Sequence, residues 1–330
     1  MLPFDSETLS NYFRLMNAHA LAQTYRGALH SGLADALAGQ PATIDQLCDA
    51  CQLQPRGTEI VLDVLQAAGL VVRDGELFRA SPLLEILLSG HYRELGDQYW
   101  RHLPQLLATG EPMAAMDSVA DSEEHYQTQA MALGWMMVPA AQRAAAILSR
   151  ECPLNDAQVL DVGAGSAVWS LALAKVNASL RVTAVDWPAV LQVAQQFAVF
   201  AGVEDRLTCV AGNFHEVDLP TSTYQLAIVA NVSHLESAEN VTRLLSRVRA
   251  ALLPGGHVAI VDALAESPDQ DRVAHGLYRL GLALRTVEAR VHRQEELRAM
   301  LADSGYCDTE YYPLAAPPHM VGMLLARAPT

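Results

Sequence analysis

The feature that most constrains this chain is a change of rhythm at about residue 157, where short β-rich runs begin to alternate with helix-length segments and the first run ends on Asp161-Val162-Gly163-Ala164-Gly165. Residues 158–161, 180–186, 207–210, 225–230 and 257–262 are short and dense in Val, Leu, Ile and Ala, and 168–175, 190–201 and 237–252 carry helical spacing between them. A strand can be followed by a parallel neighbour only through a crossover, so this alternation predicts a Rossmann-like, doubly wound α/β fold with a mostly parallel sheet and helices on both faces. Ligands of such sheets bind at the carboxyl ends of the strands. Gly163 and Gly165 stand at that place, directly after the first strand, where glycine lets the backbone turn tightly and approach a ligand.

Which ligand is narrowed by what surrounds the loop. A dinucleotide fingerprint wants a third glycine at position 168, which is valine, and does not want the acid already present at Asp161. S-adenosylmethionine fits better: Asp161 suits its ammonium group, free N–H groups around Gly163 to Ser166 suit its amino-acid end, and Asp186 at the end of the next strand suits a ribose diol. A formal charge of −15 argues against a nucleic-acid partner, whose phosphates are held by Lys and Arg, and favours a small-molecule substrate. The five cysteines are odd in number and make no disulfide framework. Cys48 and Cys51 have the spacing of half a zinc site without a second pair, so no metal is expected. There is no basic-flanked apolar leader and no apolar run of roughly the 18 residues a membrane span requires, so the expectation is a cytoplasmic protein without a membrane partner.

The first third reads differently. Apolar residues recur at three and four from Leu9 to Leu37, Thr43 caps a short helix, and a further helix up to Gly69 leads into a hairpin on Asp74-Gly75. Helix, helix, hairpin is a winged-helix pattern, but the would-be recognition helix carries Glu59 and Asp63 behind a single Arg56 and would repel phosphate. The mainly α module is therefore expected to be a dimerisation or lid element. The expected division is a winged-helix dimerisation domain at 1–110, connecting helices at 111–150 and the ligand-binding α/β domain at 151–330. Trp100, Met131 and Trp135 lie in helical stretches rich in large apolar and sulfur side chains and are candidates for the wall of a substrate pocket.

Taken together, Leu160-Asp161-Val162-Gly163-Ala164-Gly165, Asp186-Trp187-Pro188, Gly212-Asn213-Phe214, Asn231-Val232-Ser233-His234 and Leu253-Pro254-Gly255-Gly256 resemble the class I small-molecule O-methyltransferases of the caffeate and hydroxyindole type and their bacterial relatives. The likeness runs from Leu9 to the C-terminal strands. It implies S-adenosylmethionine as methyl donor, S-adenosylhomocysteine as product, and a homodimer through the N-terminal domain. It also implies cofactor contacts at Asp161, Gly163, Gly165, Ser166, Asp186, Trp187, Gly212, Asn213, Phe214 and Asn231, with adenine near the Gly212-Asn213-Phe214 turn. Many members carry Asp where this chain has Asn213. His234 matches the family's general base and Asp262 the carboxylate beside it. A second family carboxylate falls on Val291, with Glu288 the nearest acid, and His275 and Tyr278 sit on the helix that in relatives faces the substrate. Glu236 reads as a first-turn acid of a helix and stays outside the expected site. The implied reaction is methyl transfer to a hydroxyl. A thioether acceptor that needs no base, a non-methylating enzyme on the same fold, and a winged-helix regulator that senses S-adenosylmethionine are the alternatives.

Overall fold

The computed structural model describes residues 5–89, 92–113, 119–264, 272–287, 290–314 and 321–330, with 119–129 described by their backbone alone. The chain divides into two compact units, Met1–Gln98 and Tyr99–Thr330, against the expected boundary at 110.

The first unit holds α1 (Ser6–His30), α2 (Leu33–Leu37), α3 (Ile44–Cys51), α4 (Pro55–Ala67), the hairpin β1 (Val71–Asp74) and β2 (Leu77–Ala80), and α5 (Pro82–Ser89). Its helix ends follow from local chemistry. Thr43 and Gln46 form a capping box at the start of α3, and Pro55, whose missing N–H costs nothing in a first turn, opens α4. Tyr25, Leu29, Leu33, Leu37, Leu62, Leu65 and Phe78 make its core. Most of α1 lies outside that core: Leu9, Tyr12, Phe13, Leu15 and Met16 are each at least 46% exposed.

The second unit begins in α6 (Asp97–Thr109) and continues with α7 (Val119–Glu151), β3 (Gln158–Val162), α8 (Val168–Val176), β4 (Arg181–Asp186), α9 (Pro188–Ala201), β5 (Leu207–Ala211), β6 (Tyr224–Ala230), α10 (Ala238–Ala251), β7 (Leu252–Ala263), α11 (Arg272–Ala283), α12 (Gln294–Asp303), β8 (Cys307–Pro313) and β9 (Val321–Arg327). The seven strands are ordered β5-β4-β3-β6-β7-β9-β8. β5, β4, β3, β6 and β7 pair in parallel, and β9 runs antiparallel to both β7 and β8. Strands covered on both faces read as continuous apolar runs, which is why Val159, Leu160 and Val162 of β3 and Leu226 to Val229 of β6 are all buried. The chain leaves β3 toward β4 on one side and later returns to pair β6 on the other, so the reversal of strand order lies between β3 and β6. A crevice opens at such a switch point. The stretch Ala130–Glu151 of α7 is long and apolar enough to cross a membrane by length and composition, yet its Ala140, Ala141, Ala144, Ala145 and Leu148 are packed in the core of this unit.

Candidate active site

The loop after β3 is shaped by three residues with positive φ: Gly163 at 64°, Gly165 at 58° and Ala167 at 55°. A Cβ on Gly163 would come within 2.5 Å of the Val232 side chain, so glycine is required both for the turn and for the approach of the loop after β6. Gly163 and Ala164 donate to the Val185 carbonyl at 2.9 and 3.2 Å, and Gly165 donates to Asp186 Oδ2 at 2.7 Å. The other oxygen of Asp186 accepts from the Trp187 amide at 2.7 Å. Asp186 thus ties the ends of β3 and β4 together.

Next to this loop lies a cavity that opens to solvent. Its walls include Gly163, Gly165, Ser166, Asp186, Trp187, Phe214, Asn231 and, from α7, Leu133 and Met137. Asp186 and Glu236 are the ionisable side chains on its described walls, two acids and no base. Behind the loop, Asp161 is 1% exposed. One of its oxygens accepts from the Ser170 hydroxyl, and Oδ1 has no hydrogen-bond partner among the described residues. Burial, with the nearby charge of Asp186 adding to it, pushes the Asp161 carboxyl up to about 7 against the pull of the Ser170 hydrogen bond. An orphaned buried carboxylate oxygen, a bare glycine cradle and an acid-lined cavity fit a ligand that carries an ammonium, a sulfonium and a diol, as S-adenosylmethionine does.

The end of β7 presents a second acid in opposite condition. Asp262, also 1% exposed, accepts from the Ser233 hydroxyl, from the His234 amide at 3.1 Å and from the Ala263 amide at 2.8 Å, and its Oδ1 lies 2.6 Å from His234 Nδ1. Burial pushes this carboxyl up, but the charge of His234 and the hydrogen bonds outweigh it and hold Asp262 below the usual carboxylate value. An ionised carboxylate only accepts, so Nδ1 of His234 carries a proton and Nε2 is the acceptor of the neutral ring. Tyr278 of α11 places its hydroxyl 3.2 Å from that Nε2. The short turn holding His234 is fixed from the far side as well: the Arg290 amide donates to the His234 carbonyl at 2.8 Å, and His292 Nε2 donates to the Ser233 carbonyl at 2.9 Å.

The expected residues therefore fall into three places. Gly163, Gly165, Ser166, Asp186, Trp187, Phe214 and Asn231 line one cavity, and Asp161 backs its loop. His234, Asp262 and Tyr278 form one hydrogen-bonded cluster. The others stand apart from both. Asn213 turns its amide into its own loop, accepting from the His215 amide at 2.9 Å and donating to Glu216 at 3.3 Å, and Gly212, with φ of 142°, shapes the same turn. Trp135 faces a separate groove and packs on Phe197 and Phe200 with ring centroids 5.0 and 5.8 Å away. Met131 packs against the core, Trp100 is 38% exposed on α6, and His275 lies on α11 outside the described walls of the cavity. Val291 is half-buried where a second carboxylate was expected, and Glu288 lies outside the described residues.

Two features escaped the sequence reading. One is the part of α7 that walls the cavity through Ala130, Leu133 and Gly134. Its signal was Gly134, a glycine inside a helix: a Cβ there would come within 2.5 Å of the Ser166 hydroxyl and the Phe197 ring, so the helix can lie on the loop only if that side chain is absent. The other is Glu236, which closes the short turn holding His234, precedes the Ser237 cap of α10 and lines the cavity.

A doubly wound seven-stranded sheet with a glycine loop at its switch point and acids at the ends of β3, β4 and β7 is the class I methyltransferase architecture. Comparison with known proteins agrees: a model of the O-methyltransferase domain matches residues 113–307, and the chain belongs to that family of S-adenosylmethionine-dependent enzymes. Among its relatives, the tetracenomycin polyketide synthesis 8-O-methyl transferase TcmO of Streptomyces glaucescens is 26% identical over 85% of this chain and 86% of its own. Acetylserotonin O-methyltransferase of Bos taurus is 26% identical over 88% of this chain and 90% of its own. Human N-acetylserotonin methyltransferase, solved in complex with S-adenosylmethionine, superposes with a TM-score of 0.75 over 100% of both chains at 21% identity, a likeness of fold.

Proposed function

We propose that this enzyme moves a methyl group from S-adenosylmethionine to a hydroxyl of a small organic acceptor, with His234 as general base and Asp262 as the residue that orients it. The observation that carries the reading is the anchored imidazole: Nδ1 is committed to Asp262 at 2.6 Å, and a phenolic hydroxyl already sits 3.2 Å from Nε2. A phenol with pKa about 10 is a poor nucleophile at neutral pH, and a neutral imidazole whose Nε2 is held as an acceptor can take its proton as the new bond forms. Asp262, held ionised, then stabilises the imidazolium.

When bound, S-adenosylmethionine supplies an electrophilic methyl carbon on a sulfonium. The chain holds it with its own groups: Oδ1 of Asp161, without a partner among the described residues, serves the ammonium, the Asp186 carboxylate on the cavity wall faces the ribose hydroxyls, and Phe214 offers a flat face to the base. Ser166, Trp187 and Asn231 complete the wall, and Leu133 and Met137 keep water away from the sulfonium. The exposed apolar face of α1, with Leu9, Tyr12, Phe13, Leu15 and Met16, supports a homodimer through the first unit, since such a stripe is costly to leave in water. Light scattering should give twice the 35.7 kDa of one chain, and a single-chain mass at tens of micromolar would overturn that part.

The test of the chemistry is His234→Ala against wild type at saturating S-adenosylmethionine, with phenols, catechols, carboxylic acids and thioethers as acceptors and products read by mass for the gain of one methyl. Loss of a general base should lower kcat roughly hundredfold or more while cofactor binding stays. Unchanged turnover would overturn hydroxyl methylation and point to a thioether, which has no proton to lose.

A further inference from the structure

We infer that the purine amine of the cofactor is read by the carboxylate of Glu236, not by the amide of Asn213. The inference rests on the reading of the cavity as the S-adenosylmethionine site. Four observations carry it. Of the two ionisable side chains on the described walls, Asp186 is committed to the loop amides of Gly165 and Trp187, while Glu236 opens onto the same space. Glu236 is held in place from behind: Oε1 lies 2.9 Å from His215 Nε2, and Oε2 accepts from Asn240 Nδ2 at 2.9 Å. Each oxygen keeps a lone pair, and the side chain is 16% exposed, so it belongs to a wall and not to a solvated surface. Beside it, the Phe214 ring lines the cavity and packs on His215 with centroids 4.6 Å apart, so an aromatic face and an acceptor-only group adjoin. Asn213, by contrast, spends its carbonyl oxygen on the His215 amide and its amino group on Glu216.

An aromatic face next to a carboxylate selects a flat heterocycle that carries N–H donors on its edge. Adenine offers the 6-amino group. Hypoxanthine places a carbonyl oxygen there and moves its edge donor to N1–H, so a carboxylate aligned on position 6 would face an acceptor with no proton between them. The wall therefore discriminates between purines that are alike in shape.

The test is binding, measured by titration calorimetry with S-adenosylhomocysteine and S-inosylhomocysteine, in which the 6-amino donor becomes a carbonyl acceptor and N1 becomes an N–H donor. Wild type should prefer S-adenosylhomocysteine by roughly thirtyfold or more, the scale of a hydrogen bond to a charged group. Glu236→Gln, whose amide can turn its amino group to a carbonyl, should bring the two ligands to within about threefold. Glu236→Ala should weaken S-adenosylhomocysteine and leave S-inosylhomocysteine no worse, which keeps the test alive if the glutamine variant folds poorly. Asn213→Ala should keep the wild-type ratio. Equal binding of both ligands by wild type, an undiminished ratio in Glu236→Gln, or loss of the ratio in Asn213→Ala would each overturn the assignment while leaving the cofactor reading in place. Failure of wild type to bind S-adenosylhomocysteine at all would remove both.

Discussion

Asp161 at the end of β3 and Asp262 at the end of β7 start from the same position and end in opposite states. Both are 1% exposed at the carboxyl ends of parallel strands, and both accept from a serine hydroxyl. Asp262 gains two backbone amides and an imidazole besides, and is held below the ordinary carboxylate value. Asp161 has only Ser170 to lower it: its Oδ1 has no hydrogen-bond partner among the described residues, and burial pushes it up to about 7. The difference teaches that one acid is finished by the protein, while the other is left for something else to complete. A pre-organised charge belongs beside a catalytic base, where it must not rearrange during the reaction. A destabilised one belongs where a cationic ligand arrives, because the ligand then relieves a cost already present in the empty protein.

The comparison breaks most sharply at Asp262. Asp262→Asn keeps the shape but removes the charge and puts an amide where His234 Nδ1 needs an acceptor, which favours the tautomer with the proton on Nε2. The base would then be a donor where it must accept, and kcat should fall roughly a hundred- to ten-thousandfold with little change in cofactor binding. Turnover measured under saturating substrates beside a calorimetric titration of S-adenosylhomocysteine checks this. Near-wild-type turnover would mean that Asp262 is a buried structural acid and no part of the chemistry.

The contrast between the two acids also marks what the sequence can carry. The strands, the glycine loop and both aspartates are legible because each depends on neighbours within a few residues: β-rich runs, a turn that needs positive φ, an acid at a strand end. The partnering of His234 with Asp262 was legible only through resemblance to a family, since the two come from different strand ends. The state of the acids was not legible. It depends on Ser170, on Ser233 and on which backbone amides converge, and these are set by packing. Glu236 fails for the same reason. In sequence it is an acid before a helix, and only the turn that brings His215 within 2.9 Å makes it a wall of the cavity. Trp135 shows the reverse error of periodicity: a large apolar residue one position from Gly134 is turned by the helix to a different groove.

A smaller and more diagnostic effect is expected at Asp161. Its carboxyl is pushed up to about 7 from an unfolded value of 3.8, so between those values the folded protein binds more protons than the unfolded chain. Stability therefore falls as pH rises through that window, and the cost is complete above about 7. Asp161→Asn removes the ionisable group and should raise the melting temperature of the ligand-free protein at pH 8 by a few degrees, with a smaller gain at pH 5, where the wild-type acid is already protonated. The same variant should bind S-adenosylhomocysteine roughly tenfold or more weakly, because the ammonium loses its counter-charge. Stabilised when empty and impaired when loaded is the pattern of an acid kept strained for a ligand. If Asp161→Asn melts lower than wild type at both pH values, its burial is ordinary structure, and the two acids differ only in degree. If it is more stable but binds ligand unchanged, the orphan oxygen serves no cation, and the ammonium must be held by the Gly163–Ser166 loop alone.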